Sequence, residues 1–405
     1  MKLALVVHRY GTEIAGGSEA ECREYAERLA SHHDVTVLTS CARDYVTWAN
    51  AYPAGTSIIN GVTVRRFPVE RPRRLTRFAD LSDAVFGGPV PPSVEEDWFR
   101  ENGPYSPALL DHLKDSGTAY DLVVFFAYRY YSSYFGLPIV ADRSVLVPTA
   151  EEDPAITLEV LPAYFSKPAG YLFNTPEEQA LVAISAGRPL EPAEVSGFGI
   201  DPAPPRAGRT SLDALGIPVD FVLYLGRVDR NKGAASLIEY FREHLDQGGI
   251  DASLIFAGPA TIRIPDHPRI QALGFVPDAV RDALLDHARV LVVPSPYESL
   301  SIVLLEAWNR GVPALVNGRC RVLQGQVRRA NGGLHYQSPM EFSEALTYLL
   351  MHPAEAATLG RQGLAYVEQE YRWPAVMGRV ERLLETVRSR RMGAATARLR
   401  TGPAD

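Results

Sequence analysis

Short apolar runs recur along this chain, and stretches with helical spacing lie between them. Residues 3–7, 35–38, 62–67, 122–126, 145–147 and 171–173 form a first series of such runs. Residues 221–225, 254–257, 290–293 and 314–316 form a second. A strand that is apolar at nearly every position must be covered on both faces, and strands that alternate with helices pair in parallel. The pattern therefore predicts an α/β chain with two doubly wound parallel sheets. Residues 188–218, rich in Pro, Gly and small side chains, separate the two series. This places an N-terminal domain at residues 1–195, a linker at 196–218 and a C-terminal domain at 219–370. A helical run follows Tyr371-Arg372-Trp373-Pro374, so residues 371–391 are expected to form a helix that packs back on the first domain. Residues 392–405 lose the apolar pattern and are expected to be a loose tail.

Composition removes several classes. The net charge of −7 argues against a nucleic-acid binder, which would be basic. Cys22, Cys41 and Cys320 are far apart and odd in number, with no metal-ligand spacing, which fits a reducing cytoplasm. The apolar run before His8 is too short for a signal-peptide core and reads as a first strand. No apolar run approaches the roughly 18 residues of a membrane span. Arg71, Arg73, Arg74 and Arg77 make a basic cluster that suits either an acidic acceptor, a peripheral contact with the inner membrane face, or simple solvation.

Chemistry concentrates where strands run into helices. Pro294-Ser295-Pro296-Tyr297-Glu298 follows the apolar run 290–293, and a helical run starts near Ile302. Glu298 thus falls on a strand-to-helix loop at the carboxyl edge of a sheet, and Glu306 about one turn into the helix. Open α/β sheets bind ligands at that edge, and free amides at a helix start favour a phosphate. Two carboxylates beside a phosphate make sense for a ligand that also presents vicinal diols, as a nucleotide sugar does. The bland alternative is a pair of solvated helix-start residues. Gly226-Arg227 and Lys232-Gly233 end the run 221–225, and two cations there can pinch a diphosphate. Arg230 competes with Arg227 for that role. Gly258 ends the next strand. Gly274-Phe275-Val276-Pro277 follows another, where Phe275 and Val276 can frame a nucleobase. Gly16 and Gly17, between the first strand and a helix, let backbone approach a phosphate. Each of these loops also reads as an ordinary turn.

Taken in order, these segments resemble the family-4 retaining glycosyltransferases. The resemblance rests on the Gly16-Gly17 loop, Arg227 with Lys232, Gly274-Phe275-Val276, and Glu298 with Glu306 after Pro294-Ser295-Pro296-Tyr297. It implies the GT-B fold, two facing Rossmann-like domains with a cleft between them. It also implies that Arg227 and Lys232 neutralise the donor diphosphate, that Glu298 binds donor-sugar hydroxyls, and that Glu306 takes the ribose diol. Backbone at Leu300, Ser301, Ile302 and Val303 would touch sugar and phosphate. The Gly16-Gly17 loop would close over the phosphates.

Two departures stand out. The family usually has Gly-Phe-Gly after the first Glu, and here it is Ser299-Leu300-Ser301. The His that many relatives carry after the strand 122–126 is missing from Ala127-Tyr128-Arg129-Tyr130-Tyr131, and the segment after the next strand also lacks one. Tyr128, Glu151 and Glu152 are left as acceptor-side candidates. No Asp-x-Asp occurs. The acidic run Glu151-Glu152-Asp153 could offer oxygen ligands to a cation, although such runs are usually only solvated. Arg and Lys would take the place of a metal in stabilising the leaving diphosphate, and the resemblance implies metal-independent, front-face transfer of a hexose from a nucleotide sugar (UDP or GDP) to a sugar, glycolipid or small-molecule hydroxyl. A sugar-nucleotide epimerase of the same fold, a phosphorylase, or a non-catalytic nucleotide-sugar-binding protein are the rival readings.

Overall fold

The structure, a computed structural model, describes residues 1–400 except Ala15 and Asp251. It divides into two compact units: Met1–Gly197 together with the chain from Met377, and Phe198–Val376. The first unit is built on eight strands: β1 Lys2–Val6, β2 Asp34–Ser40, β3 Gly55–Ile59, β4 Val62–Phe67, β5 Leu122–Phe126, β6 Ser144–Val147, β7 Gly170–Phe173 and β8 Ala193–Val195. Their order is β3-β4-β2-β1-β5-β6-β7-β8, parallel throughout except for β3. β1 pairs with β2 on one side (Leu3 opposite Val35) and with β5 on the other (Leu3 opposite Leu122). Every residue of β5 is buried, as a central strand covered on both faces requires.

The second unit has six parallel strands: β9 Phe221–Leu225, β10 Ser253–Ala257, β11 Ile270–Ala272, β12 Val290–Val293, β13 Ala314–Asn317 and β14 Gly333–Tyr336. Their order is β11-β10-β9-β12-β13-β14. Alternate strand residues feed its two cores. Leu223, Ile255, Leu291 and Val293 pack with Leu304 and Trp308 on one face. Val222, Leu254, Val290 and Val292 pack with Leu237 and Phe241 on the other. This period-two partition is why the runs read as apolar at every position. In each unit the strand order reverses once, between β1 and β5 and between β9 and β12. Crevices outside the carboxyl ends of strands at such reversals are where open α/β sheets bind ligands.

Two boundaries need correction. The expected linker does not behave as one: residues 198–218 fold into the second unit, with Ile200, Leu212 and Ile217 in its core and a helix at Thr210–Ala214. The Ile200 amide donates to the Tyr371 carbonyl at 2.6 Å. Widely spaced apolar residues in a Pro-rich stretch were enough to anchor it. The tail is the second correction. The helix Trp373–Arg400 continues past Met392, in keeping with the alanine-rich composition there, and 401–405 lie outside the described residues. Within this helix the chain passes from the second unit to the first. Trp373 packs on Phe198 and Gly199, whereas Leu383 and Val387 lie over Gly170.

Strands β3, β8 and β14 went unread because they are edge or near-edge strands that need little apolar coverage. β3 is exposed almost throughout, and only its Asn60-Gly61 turn, with both residues at positive φ, signals the hairpin to β4.

Candidate active site

At the β9/β12 reversal the loop 226–233 meets the loop 294–301. Gly233, at φ 72°, starts the helix Ala234–Asp246, and a Cβ there would lie 2.2 Å from the Pro294 carbonyl oxygen. Gly258, at φ 139°, leaves similar room: its Cβ would lie 2.0 Å from the Gly226 carbonyl oxygen. Three strand ends therefore converge closely because side chains are missing where the backbones cross. Asp229 shapes the first loop by accepting the Lys232 amide at 2.8 Å. Lys232 is thereby aimed at the neighbouring loop, and its Nζ donates to Glu298 Oε1 at 2.8 Å. Arg227 points outward with its guanidinium 3.5 Å from Asp229, and it is about half exposed (46% of its side chain).

The helix Ile302–Asn309 begins after Ser301, which supplies no side-chain cap. Its first amides have no intrahelical acceptor, as at any helix start. One amide expected to face the ligand is already taken: the Ser301 N–H donates to Gln326 Oε1 at 3.2 Å. Gln326 is wholly buried and satisfies a donor the core would otherwise strand. The Leu300 side chain is also buried, so only its backbone is available, while Ile302 and Val303 remain partly accessible at the start of the helix.

Glu306 lies one turn further on and forms an ion pair with Arg281. Burial raises the proton affinity of Glu306, and Arg281 pulls it back down. Arg310 joins this group through Asp282 at 3.0 Å and Asp286 at 2.8 Å. Sequence reading missed Arg281, although it stands one turn into the helix Asp278–His287, which starts directly after Gly274-Phe275-Val276-Pro277. Phe275 itself projects into solvent, 82% exposed, while Val276 leans on the core. A flat apolar ring presented at a sheet's carboxyl edge suits stacking with a planar base.

In the first unit the structure reorders the candidates. Gly16 caps the helix Gly17–Leu29, and Glu19 on its first turn accepts from Arg9 Nε at 2.9 Å and pairs with His8 Nε2 at 2.8 Å. Burial opposes charge on Glu19, but His8 and Arg9 outweigh it and hold the carboxyl far below the usual range. Tyr130 stacks on the His8 ring with centroids 3.7 Å apart. This cluster at the β1/β5 reversal was not foreseen. Tyr128 is corrected as an acceptor contact: it is fully buried against Phe165, and desolvation pushes its phenol well up. Arg129 answers the acidic run, 2.9 Å from Asp153 and 3.8 Å from Glu151, while Glu152 is exposed. The basic cluster is likewise partly neutralised. Arg71 (3.1 Å), Arg74 (2.7 Å) and Arg77 (3.7 Å) converge on the buried Glu101, and Arg73 bonds the Asn102 carbonyl. Arg74 and Arg77 stay about half exposed. Among the described residues no group of three or more His, Cys, Asp or Glu side chains could hold a metal ion, and no helix is long and apolar enough to cross a membrane.

With this geometry in place, likeness to known proteins is informative. Residues 220–352, which carry every second-unit candidate, match the model of the glycosyl transferases group 1. The chain is a glycosyltransferase. A glycosyltransferase of Methanocaldococcus jannaschii, itself uncharacterised, is 25% identical over 353 residues, 78% of this chain and 80% of that one. Among solved structures, the sucrose-phosphate synthase of Thermosynechococcus elongatus superposes with a TM-score of 0.67 at 19% identity, covering 95% of this chain and 99% of that one. Anabaena HepE, solved in complex with UDP and glucose, superposes with a TM-score of 0.68 at 16% identity, covering 95% and 100%. These likenesses give the enzyme the GT-B type of fold, two parallel-sheet units in one chain.

Proposed function

We propose that this glycosyltransferase moves a hexose from a nucleoside diphosphate sugar to an acceptor hydroxyl, with retention at the anomeric carbon and without a metal. The observation that carries the proposal is the Lys232–Glu298 pair at the β9/β12 reversal. It sets an ammonium and a carboxylate side by side where diphosphate and sugar hydroxyls would meet. In this reading Lys232 and Arg227 take the diphosphate, Glu298 the hexose hydroxyls, and the amides at Ile302 and Val303 the distal phosphate. Glu306 takes the ribose diol, and Phe275 and Val276 frame the base. The acceptor oxygen bonds to the anomeric carbon as the bond to the leaving phosphate breaks. The acceptor proton goes to that phosphate, whose charge the two cations stabilise most as it develops.

HepE was solved with UDP, which makes UDP-hexoses the first donors to test. Buried Cys22, Cys41 and Cys320, none of them disulfide-bonded, suit a reducing compartment such as the cytoplasm. The test is a thermal-shift panel of UDP, GDP, ADP and dTDP, each with its hexose derivatives, followed by product analysis with the best donor. Stabilisation by a nucleoside diphosphate and slow donor hydrolysis with retained configuration are expected. Absence of stabilisation by every nucleotide would overturn the reading. Tight binding without turnover would leave a binding protein.

A further inference from the structure

We infer that Arg281 is a positioning residue for Glu306, holding that carboxylate aimed and charged so that the site reads the vicinal diol of a ribonucleotide. The inference rests on the proposed donor reading. Two helices flank β12: Asp278–His287 leads into it and Ile302–Asn309 leads out. Arg281 and Glu306 each lie about one turn into their helix, and the guanidinium of one meets the carboxylate of the other.

The arginine is itself held from behind. Asp282 stands 3.7 Å from Arg281 and 3.0 Å from Arg310. Arg310, almost fully buried, reaches both oxygens of Asp286 at 2.8 Å, and Asp286 accepts the Ala207 amide at 2.7 Å. The chain Glu306–Arg281–Asp282–Arg310–Asp286 ends on backbone, so neither partner of the first pair is a swinging surface side chain. About a quarter of the Glu306 side chain (27%) stays open to solvent, which leaves room for hydroxyl groups.

The electrostatics give Arg281 a function beyond packing. The charged groups facing Glu306 are Arg281 and Asp282 from the incoming helix and Arg310 beyond its own helix. Burial and Asp282 favour the neutral acid, and Arg281 is the stronger of the two opposing cations. Without it the balance tips toward a protonated carboxyl, which has a hydrogen to donate and no longer accepts from both ribose hydroxyls. A mere strut between helices would affect stability alone. A positioning residue also sets how binding depends on pH and on the 2′-hydroxyl.

The experiment is isothermal titration of the full chain with whichever of UDP, ADP and GDP binds tightest, and with the 2′-deoxy counterpart, between about pH 6 and 9. Wild type, Arg281→Ala, Arg281→Lys and Glu306→Gln are compared, each checked for a cooperative melt. Arg281→Ala is expected to lose about tenfold or more in affinity near neutrality and to regain part of it as pH rises. It should also lose preference for the ribonucleotide, while Arg281→Lys keeps most of both. Glu306→Gln should lose the preference at every pH. A folded Arg281→Ala with wild-type preference and a wild-type pH profile, beside a Glu306→Gln that has lost preference, overturns the role of Arg281 alone. If Glu306→Gln binds like wild type, or no nucleotide binds, the ribose reading fails and this inference fails with it. Should Arg281→Ala not fold, Arg281→Gln, which keeps side-chain bulk without the charge, is read by the same criteria: lost preference with a shifted pH profile is expected, and wild-type preference with a wild-type profile overturns the role of Arg281.

Discussion

Lys232 and Arg227 are both cations at the end of β9, but their surroundings differ and so do the expected effects of removing them. Lys232 is less exposed than Arg227 and already engaged with Glu298; Arg227 is half exposed beside Asp229. Charge-assisted hydrogen bonds contribute about 1.5–3 kcal/mol each. Lys232→Ala should weaken donor binding toward the upper part of that range, and Arg227→Ala toward the lower part because water screens it. Titration with donor measures both, and unchanged affinity in the two variants would remove the phosphate clamp. Glu298 and Glu306 should split. Glu298→Gln is expected to lower turnover while leaving affinity for the bare nucleoside diphosphate nearly intact. In the proposed reading its contact is with the sugar, and it would count most as positive character builds at the anomeric carbon. Glu306→Gln is expected to weaken the bare nucleotide as well. Equal effects of both variants on the bare nucleotide would show that the two carboxylates do not divide sugar from ribose.

At the scale of elements, the helix Gly17–Leu29 carries a cost on its buried face. Glu21 is buried with one oxygen unpartnered, and its other oxygen accepts from Asn174 only at 3.4 Å. Burial pushes its carboxyl up to about 8. Glu178, on the helix Pro176–Ala186, accepts amides from Ala150 and Asn174 yet is also pushed up to about 8, again by burial first. Between the ordinary carboxylate range and about pH 8 the folded chain therefore holds protons that the unfolded chain has released. Stability should be greatest at the acid end of that window and fall as pH rises through it, by at most about 1.4 kcal/mol per pH unit for each group. Glu21→Gln should flatten the slope of melting temperature against pH between about 5 and 8. An unaltered slope would mean that Glu21 is already ionised in the folded state. The same helix start holds Glu19 charged through His8 and Arg9, so neighbouring turns of one element carry carboxylates of opposite character.

For the whole molecule, the proposed mechanism makes cationic side chains stand where other transferases use a metal. Transfer should therefore survive excess EDTA, measured as product formed with and without chelator. Loss of activity that Mg²⁺ or Mn²⁺ restores would contradict the proposal and direct attention to Glu151 and Asp153, which here already pair with Arg129. Much of the architecture was legible in the sequence. Short apolar runs bounded by turn residues suit strands covered twice, and their alternation with helices favours parallel sheets. That reading also put Glu298 on a loop and Glu306 inside a helix, because strand ends and helix starts are local properties. The edge strands β3 and β14 were lost for the converse reason, since their coverage is partial and the apolar signal weakens with it. What no local pattern could decide is which charges meet. Lys232 reaches Glu298 because β9 and β12 are neighbours in the sheet, though far apart in the chain. Arg281 reaches Glu306 because two helices flank one strand. Tyr128 is buried and Ser301 gives its amide to Gln326 through packing from distant segments. Periodicity reports which side of an element faces a core, whereas the pairing of polar groups depends on distances that only the assembled sheets set.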